Sequence, residues 1–399
     1  MNKNFTNSFI LNALNLPIIR DLDTFSNSIG VSKRLLYLLS QSSEEYYRSF
    51  FICKKNGDQR EIHTPTYSLK LVQRWILEEI LEKIDVSEES MAFKKGPGNG
   101  IKKNAEIHLY SLYLLQLDLK DFFTSIKREK VFYLFKDLGY NIVVSNILAS
   151  LCTYNGYLPQ GGVTSPYISN LVCYKLDKRL KGLCAKRDIL YTRYADDLTF
   201  SCDNRETLKK VQKVIEDIIE DEGFNVNSLK TRLLSPSSHK KVTGITVNEK
   251  TVKASKKLKR EVRTMIHHAF VTTDYSSNDR IRGYIAFISS IEEGYKDTIY
   301  KYINKLVNNE NYRMFRDIVE AYNNNKIFKN MEDMKDMKDM KDMKFEKSGY
   351  LVEEYLNDLA QERASFLRNR DIQTDLFTNS SADEIASTSM ERKDFKDLF

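Results

Sequence analysis

The sequence predicts an α+β protein in which a buried strand and an acidic hairpin belong to one sheet. Residues 112–119 form a nearly continuous apolar run, typical of a buried strand, and Asp118 lies at its end. Residues 189–202 carry aromatic and β-branched residues on both sides of Asp196 and Asp197, which favours two strands joined by a tight turn. Because helical patterns separate the strand from the hairpin, the order is that of a sheet with helices on one face.

Length and composition are those of a folded protein with two or three domains. The chain has 399 residues, of which 41% are hydrophobic and 11% aromatic, and this excludes a disordered chain. The net charge of +7 is a moderate basic excess, so its placement matters more than its size. The five cysteines show no zinc-site spacing and indicate reduced thiols. No apolar run approaches the ~18 residues of a membrane span, so we expect a cytoplasmic protein without a membrane partner.

The N-terminal third alternates short helices with one hairpin. Apolar patches with polar breaks predict short helices within residues 1–50. Residues 50–64 predict a hairpin with a polar turn, which Pro65 ends. The apolar spacing over residues 69–84 predicts an amphipathic helix, and a flexible loop follows at residues 96–100.

The middle of the chain is predicted to be helical up to the acidic hairpin. Helical patterns cover residues 127–138 and 141–153. A loop at residues 158–162 then leads into a long helix, with Ser165 as its N-cap, that ends at Gly182.

After the hairpin the chain is predicted to return to the sheet and then to become helical and basic. An amphipathic helix over residues 205–222 precedes strands around 224–226 and 229–234. Another pair of strands lies on either side of Gly244, and residues 250–328 are predicted to be helical with a basic start.

The last part of the chain differs in composition. A Met-Lys-Asp repeat lies between Met331 and Lys344, and such low-complexity sequence predicts a solvated spacer. Residues 345–399 begin with helical spacing and end polar.

The adjacent acids of the hairpin have chemical significance only together with the strand before them. Taken alone, Asp196 and Asp197 are most often an ordinary polar turn, and they repel each other unless a positive charge lies between them. If the strand ending at Asp118 lies beside the hairpin, three carboxylates converge on one edge of the sheet. Three such acids can hold two Mg²⁺ ions about 3.5–4 Å apart, the arrangement that serves phosphoryl transfer.

Three motifs occur in a fixed order and resemble the successive motifs of reverse transcriptases. They are Asp118-Leu119-Lys120-Asp121-Phe122-Phe123, Leu158-Pro159-Gln160-Gly161 with Ser165-Pro166, and Tyr194-Ala195-Asp196-Asp197. Two further segments, Asn104-Ala105-Glu106-Ile107-His108 and Val242-Thr243-Gly244, resemble signatures of the retron reverse transcriptases. The resemblance covers roughly residues 5–325 and excludes the spacer and the C-terminal segment.

The resemblance implies a right-handed fingers–palm–thumb fold with a mostly helical C-terminal extension. The expected domains are an N-terminal helical segment (1–50), fingers (51–111 with part of 127–160), palm (112–245), helical basic thumb (246–328), spacer (329–344) and a partly disordered extension (345–399).

The resemblance also assigns the catalytic metal site. Asp118, Asp196 and Asp197 would hold two Mg²⁺ ions, with Mn²⁺ as a possible substitute. The carbonyl of Leu119 would complete one metal shell.

A nucleotide site is expected beside these acids. Phe123 lies where the family places an aromatic ring against the sugar, which would select deoxynucleotides, and a core aromatic is the alternative. Lys230 would lie near the leaving pyrophosphate, and Lys70 is more readily explained as a surface charge. The complete expected set is Arg60, Lys70, Asp121, Phe122, Phe123, Gln160, Gly161 and Lys230.

A second set is expected to bind RNA or DNA. Asn104 and His108 share one helix face and would either hold the cognate RNA or shape the surface that does, whereas a lone histidine is more often structural. Val242, Thr243 and Gly244 would form a strand bend that contacts primer or RNA. The basic thumb residues would bind phosphates, with a solvated charged helix as the alternative: Lys253, Lys256, Lys257, Lys259, Arg260 and Arg263.

The function that the resemblance implies is RNA-directed DNA synthesis by a retron. Such an enzyme uses a cognate non-coding RNA and dNTPs, starts DNA at a 2′-hydroxyl of a guanosine and yields branched multicopy single-stranded DNA in anti-phage defence. The sequence shows no Walker loop, nuclease cluster or zinc site, so we expect a separate effector protein encoded nearby. The alternatives are a group II intron or abortive-infection reverse transcriptase, and an RNA-binding scaffold with a decayed active site.

Overall fold

The computed structural model describes residues 6–53, 57–96, 98–272 and 276–307. The chain divides into two units, 1–312 and 313–399, and the second lies outside the described residues, as do the predicted spacer and C-terminal extension. Within the described ranges, no helix is long and apolar enough to cross a membrane.

The described elements alternate helices with short strands. The helices are α1 (Ser8–Ala13), α2 (Leu22–Ile29), α3 (Lys33–Gln41), α4 (Tyr67–Glu79), α5 (Ile101–Ile107), α6 (Phe122–Ser125), α7 (Arg128–Asp137), α8 (Ile142–Cys152), α9 (Ser165–Val172), α10 (Tyr174–Ala185), α11 (Arg205–Asp221), α12 (Lys256–Thr272), α13 (Asn278–Ile291) and α14 (Tyr295–Val307). The strands are β1 (Tyr47–Cys53), β2 (Gln59–Pro65), β3 (Tyr113–Asp118), β4 (Leu190–Tyr194), β5 (Asp197–Cys202), β6 (Arg232–Leu234), β7 (Lys241–Val242) and β8 (Ile245–Thr246).

A four-stranded antiparallel sheet in the order β4-β5-β3-β6 positions the acidic residues. Leu115 and Leu117 of β3 and Phe200 of β5 are buried in the same core as the helices that follow them. Burial of such apolar side chains, at about 25 cal/mol per Å², holds the strands in register. The predicted strand and the predicted hairpin are therefore neighbours in one sheet.

The N-terminal predictions agree with the structure in kind and differ at their ends. The hairpin β1–β2 ends at Pro65 as predicted, and its residues 54–56 lie outside the described ranges. The helix predicted over 69–84 ends at Glu79 and is followed by a 3₁₀ turn at Leu81–Lys83.

The long helix predicted from Ser165 to Gly182 is wrong in three respects. It is two helices, α9 and α10, which meet at Cys173, where the backbone has a ψ of −2°. Thr164 rather than Ser165 is the N-cap, and the buried hydroxyl of Ser165 has no hydrogen-bond partner among the described residues. Gly182 lies inside α10, because a glycine costs a helix only about 1 kcal/mol and the packing of neighbouring apolar residues outweighs that cost.

Two predicted strands and one predicted helix beyond the hairpin also need correction. Residues 224–226 form only an isolated bridge between Leu119 and Val226, and the strand predicted over 229–234 is limited to β6. The basic segment is not helical from Lys250, because Lys253 forms a bridge with Thr246 and α12 begins at Lys256.

Candidate active site

Asp118 and Asp197 lie directly opposite each other on β3 and β5. Side chains of paired residues in an antiparallel sheet project from the same face, with Cβ atoms about 4.5–5.5 Å apart. Asp196 lies in the turn next to them, and its carbonyl accepts a hydrogen bond of 2.9 Å from the Leu119 N–H. Residues nearly eighty positions apart in the chain are thus brought to one edge of the sheet.

The turn between β4 and β5 contains a residue in a strained backbone conformation. Ala195, and not one of the aspartates, adopts the left-handed conformation, with a φ of +56°. This conformation costs an L-residue about 1–2 kcal/mol, so the surrounding structure must hold it in place.

The environment of the two acids in the turn disfavours their ionised form and raises the pKa of both. Burial, together with the neighbouring carboxylates of Asp196 and Asp118, raises the pKa of Asp197 to about 6. The pKa of Asp196 is raised by burial and by Asp118, and lowered by the cations Lys230 and Arg60. Such a cluster favours a bound cation.

Lys230 already contacts the third acid. Its Nζ lies 2.9 and 2.7 Å from the two carboxylate oxygens of Asp118, and Asn227 donates a longer hydrogen bond of 3.3 Å to the same carboxylate. This contact raises the pKa of Lys230. Within the part of the chain that the structure describes, no group of three or more metal-ligating side chains is arranged as a ready-made cluster. The ammonium of Lys230 thus lies against both carboxylate oxygens that Asp118 would offer to a cation.

A cavity of about 300 Å³ opens beside Asp118 and Asp197. Four of its polar lining residues, Gln116, Thr199, Arg232 and Lys241, were missed by sequence reasoning. Gln116 donates a hydrogen bond of 2.7 Å to the Lys241 carbonyl. A polar side chain in the otherwise apolar run of β3 is the signal that could have identified Gln116. The lining residues are Gln116, Leu117, Asp118, Asp197, Leu198, Thr199, Lys230, Arg232, Lys241, Thr243 and Gly244.

The two adjacent phenylalanines after β3 have different environments. Phe122 is 3% exposed and packs on Phe224, so its side chain belongs to the core, and its contact with a nucleotide stays a prediction. Phe123 is half-buried and packs against Phe93 and Phe122, with ring centroids 6.5 and 5.3 Å away. Asp121 is exposed and left-handed, with a φ of +49°.

The loop of Gln160 and Gly161 is fixed by the hairpin β1–β2. The His63 N–H donates a hydrogen bond of 2.8 Å to the Gln160 carbonyl. A Cβ at Gly161, where φ is +119°, would lie 2.8 Å from the His63 carbonyl oxygen. The backbone of His63 thus lies close to Gly161 and leaves no space for a side chain there. Arg60 and Lys70 are both exposed, on β2 and α4.

This close approach makes a testable prediction for Gly161→Ala. We expect it to lower the free energy of unfolding by about 1–3 kcal/mol more than Gly156→Ala, because a forced overlap must be relieved by backbone movement. Gly156 is a matched control, since its φ of +81° is also left-handed but no described atom lies within 4 Å of the position that an added Cβ would take. Urea unfolding of both variants measures the difference, and equal losses would contradict the contact.

The first of the two short segments that resemble retron signatures forms buried hydrogen bonds to the sheet, and one partly buried contact joins it to the second. His108 lies 2.7 Å from both Ser201 and Thr192, through Nδ1 and Nε2 respectively. The Thr192 hydroxyl donates to Asn104 Oδ1 at 2.5 Å, and Asn104 Nδ2 lies 3.5 Å from the Thr243 hydroxyl. This chain of contacts ends at a residue that lines the cavity beside the acids.

Burial favours one of the two predicted RNA-binding roles of these residues, the shaping of a surface, over direct contact with RNA. Asn104 and His108 are 1% and 0% exposed, and Val242 is also fully buried. Their side chains therefore do not present a direct contact surface, and shaping the turn at Thr243 and Gly244 is the role that the geometry favours. The turn is strained, because Thr243 has a φ of +47°.

The comparisons with known proteins decide the family. The family model for reverse transcriptase (RNA-dependent DNA polymerase) matches residues 52–253. The retron Ec86 reverse transcriptase of Escherichia coli is 36% identical over 304 residues, which are 76% of this chain and 94% of that protein. The retron Mx65 reverse transcriptase of Myxococcus xanthus is 33% identical over 299 residues, which are 69% of each. The chain belongs to the retron reverse transcriptases.

The expected α+β reverse-transcriptase fold and RNA-directed DNA polymerase activity are thereby confirmed. A retron reverse transcriptase copies an RNA template with dNTPs and depends on a divalent metal. Among solved structures, a telomerase from Candida albicans with a telomeric RNA fragment covers 69% of this chain and 65% of its own, at 14% identity and a TM-score of 0.41. That likeness is too distant to add to the assignment.

The basic residues predicted for the thumb of this reverse transcriptase fall into three groups. Lys259 binds Glu292 at 2.8 and 3.0 Å and Lys253 pairs with Glu249, so both contribute less positive charge to a nucleic-acid surface. Arg263 stacks over Tyr302 at 5.5 Å. The remaining members of the set are exposed on the first turns of α12: Lys256, Lys257 and Arg260.

Burial of His108 predicts an acid-sensitive fold for this reverse transcriptase. Burial lowers the pKa of His108 to about 3, whereas an unfolded histidine has a pKa of about 6.5. Between these values the unfolded chain binds the extra proton, so His108 stabilises the fold above about pH 6.5 and that stability is lost as the pH falls. From pH 7.5 to 5.5 the loss is about 1.4 kcal/mol.

The control is His108→Gln, which keeps a hydrogen-bond donor and acceptor but does not titrate. Urea unfolding at both pH values is expected to show a pH dependence about 1.4 kcal/mol smaller in this variant than in the wild type. An identical pH dependence in the two proteins would contradict the neutral, buried state of His108.

Proposed function

We propose that this reverse transcriptase converts a cognate structured RNA, encoded with it, into branched multicopy single-stranded DNA in anti-phage defence. DNA synthesis would start at the 2′-hydroxyl of a guanosine in that RNA. The polymerase chemistry in this proposal rests on the pairing of Asp118 with Asp197 beside a cavity of about 300 Å³, and the retron role rests on the similarity to retron reverse transcriptases. This volume, bordered by the cations Lys230, Arg232 and Lys241, suits a nucleotide whose phosphates need neutralisation.

The proposed metal ligands fit Mg²⁺ by their chemistry. Asp118, Asp196 and Asp197 supply hard oxygen atoms, and their mutual repulsion favours a bound cation. Two Mg²⁺ ions, for which Mn²⁺ could substitute, would lower the pKa of the attacking hydroxyl and stabilise the leaving phosphate. The chain itself fixes the position of the acids, and the ammonium of Lys230, which lies on Asp118, would bind the leaving pyrophosphate.

The nucleotide side of the site is proposed around the loop of Gln160. His63 fixes that loop to the hairpin that carries Arg60, so the two predicted nucleotide contacts are held by one backbone hydrogen bond. The positive charge of Arg60 also lowers the pKa of Asp196, which supports a position of Arg60 facing the acids. We propose that Arg60 binds the triphosphate and that Phe123 limits the space at the sugar.

A branched product distinguishes this proposal from ordinary primer extension. The reverse transcriptase co-expressed with the RNA encoded beside its gene should yield DNA that remains attached to a short RNA after RNase A treatment. A 2′-debranching enzyme should then release the DNA as a faster-migrating species. A single 2′-deoxyguanosine at the branch position should abolish the product, while the same change at the neighbouring nucleotide should not. A linear product, unaffected by debranching, would contradict 2′-hydroxyl priming.

The C-terminal extension, residues 345–399, lies outside the described residues and is proposed to bind the effector partner or the DNA product. Deletion of this segment should leave primer extension unchanged and abolish co-purification of the protein encoded by the neighbouring gene. Phage plating efficiency should rise to that of cells without the retron. Unchanged assembly and unchanged phage resistance would remove this part of the proposal.

A further inference from the structure

Arg193 lies on β4 immediately before the acidic turn and is completely buried. Its guanidinium has no exposed surface and forms a two-pronged ion pair with Asp177 of α10, at 2.8 Å from Nε and 2.7 Å from Nη2. The third nitrogen, Nη1, donates to Asn170 Oδ1 of α9 at 3.1 Å and to the Ala195 carbonyl at 3.3 Å. One side chain thus joins two helices to the turn.

The turn is held at two successive carbonyls. Arg193 binds the carbonyl of Ala195, and the Leu119 N–H binds the carbonyl of Asp196. Ala195 has the strained φ of +56°, and such a conformation persists only where the surroundings determine it. These two hydrogen bonds are therefore in a position to fix the direction in which Asp196 and Asp197 leave the turn.

Asn170 and the backbone of Arg193 are both hydrogen-bonded to the segment of residues 89–92. Asn170 accepts a hydrogen bond of 2.8 Å from the Ser90 hydroxyl and donates one of 2.8 Å to the Ala92 carbonyl. The backbone of Arg193 pairs with the same segment, through the Glu89 carbonyl at 2.8 Å and the Met91 N–H at 2.8 Å. The guanidinium cannot move without breaking several buried hydrogen bonds.

A buried ion pair of this kind contributes little net stability, because the desolvation of both charges offsets their attraction. Its geometry is specific, since only a planar guanidinium can bind a carboxylate with two nitrogens and reach a carbonyl with a third. A lysine at position 193 keeps the charge and loses this simultaneous contact. The arrangement is thus better suited to positioning than to stabilisation.

We propose that Arg193 is a positioning residue that orients Asp196 and Asp197 for metal binding through the Ala195 carbonyl. Asp177 and Asn170 hold the guanidinium in place, so the helices that follow the Gln160 loop are coupled to the acidic turn. The proposal rests on the proposed role of the two aspartates as metal ligands.

The test is the affinity of Arg193→Lys for Mn²⁺, measured by electron paramagnetic resonance titration of the full-length protein, alongside the Mg²⁺ dependence of primer extension. We expect Mn²⁺ binding to weaken at least about fivefold and kcat to fall at least about tenfold, with the KM for dNTP within about twofold of wild type. The matched control is Tyr191→Phe. Its hydroxyl donates to the same Asp177 at 2.8 Å, but the residue does not contact the turn. We expect this variant to lose thermal stability without a change in Mn²⁺ affinity.

The outcomes distinguish failure of the metal-ligand assignment from failure of the positioning role of Arg193. If Asp197→Asn does not weaken Mn²⁺ binding, the assignment of the metal ligands fails. If Asp197→Asn weakens it and a folded Arg193→Lys does not, the positioning role of Arg193 is overturned. Should Arg193→Lys fail to fold, the double variant Arg193→Met/Asp177→Leu removes both buried charges and the contact with the Ala195 carbonyl at similar side-chain volume. If this variant folds and keeps wild-type Mn²⁺ affinity, the positioning role is overturned, and a weakened affinity supports it.

Discussion

Asp197→Asn is expected to abolish detectable primer extension on an RNA template, with kcat reduced at least about 10²-fold. An amide keeps the shape of the side chain but removes the negative charge that a divalent metal requires, and loss of one such electrostatic contact typically costs about 10²–10³ in rate. RNA binding is expected to stay within about twofold of wild type, because phosphate contacts by basic residues dominate that affinity. Primer extension and a filter-binding assay on the same preparation measure the two quantities.

Asp188→Asn is the matched control for this experiment. It introduces the same change shortly before the same hairpin, at an exposed residue whose φ of +54° asparagine tolerates. The control should retain full activity. An active Asp197→Asn enzyme would exclude Asp197 as a metal ligand, and a joint loss of RNA binding and activity would indicate misfolding instead.

Phe123→Ala is expected to relax the choice of sugar, raising incorporation of ribonucleotides relative to deoxynucleotides by about 10–200-fold. In the proposed site, the half-buried ring next to the acidic strand would lie against the sugar and collide with a 2′-hydroxyl, and steric discrimination of one small group amounts to about 1–3 kcal/mol. The measurement is the ratio of kcat/KM for GTP and dGTP in single-nucleotide extension.

Phe122→Leu provides the comparison for this prediction, because the neighbouring ring is in the core at 3% exposure. This variant should lose stability and keep the sugar preference of the wild type. If Phe123→Ala still discriminates as the wild type does, Phe123 is a packing residue, the alternative that the sequence left open.

Much of the fold could be predicted from local pattern, because hydrophobic period and turn residues act over short distances. The strand ending at Asp118, the hairpin around Asp196 and the hairpin ended by Pro65 all lie where their patterns placed them. Predictions failed where a single local signal was given too much weight, as at Gly182. Core packing of α10 overrides a glycine, and no short-range pattern reports that packing.

The sequence allowed the residues of the candidate site to be proposed, but it did not reveal their burial or their contacts. Sequence reasoning proposed the three acids, Lys230 and Phe123, but could not separate Phe122 in the core from its half-buried neighbour. It also could not show that Asn104 and His108 are buried, since a helix face tells which residues lie together and not whether the face meets solvent or sheet.

The sequence by itself determined the chemistry of this protein: acids at a strand end and a hairpin tip, the Pro-Gln-Gly loop and the two short signatures. Only the tertiary structure decided the register that sets Asp118 opposite Asp197, the contact of Lys230 with Asp118 and the burial of Arg193 beneath the turn. The physical reason is that strand register and burial depend on contacts between segments far apart in the chain. The whole core selects those contacts, and no neighbouring residues encode them.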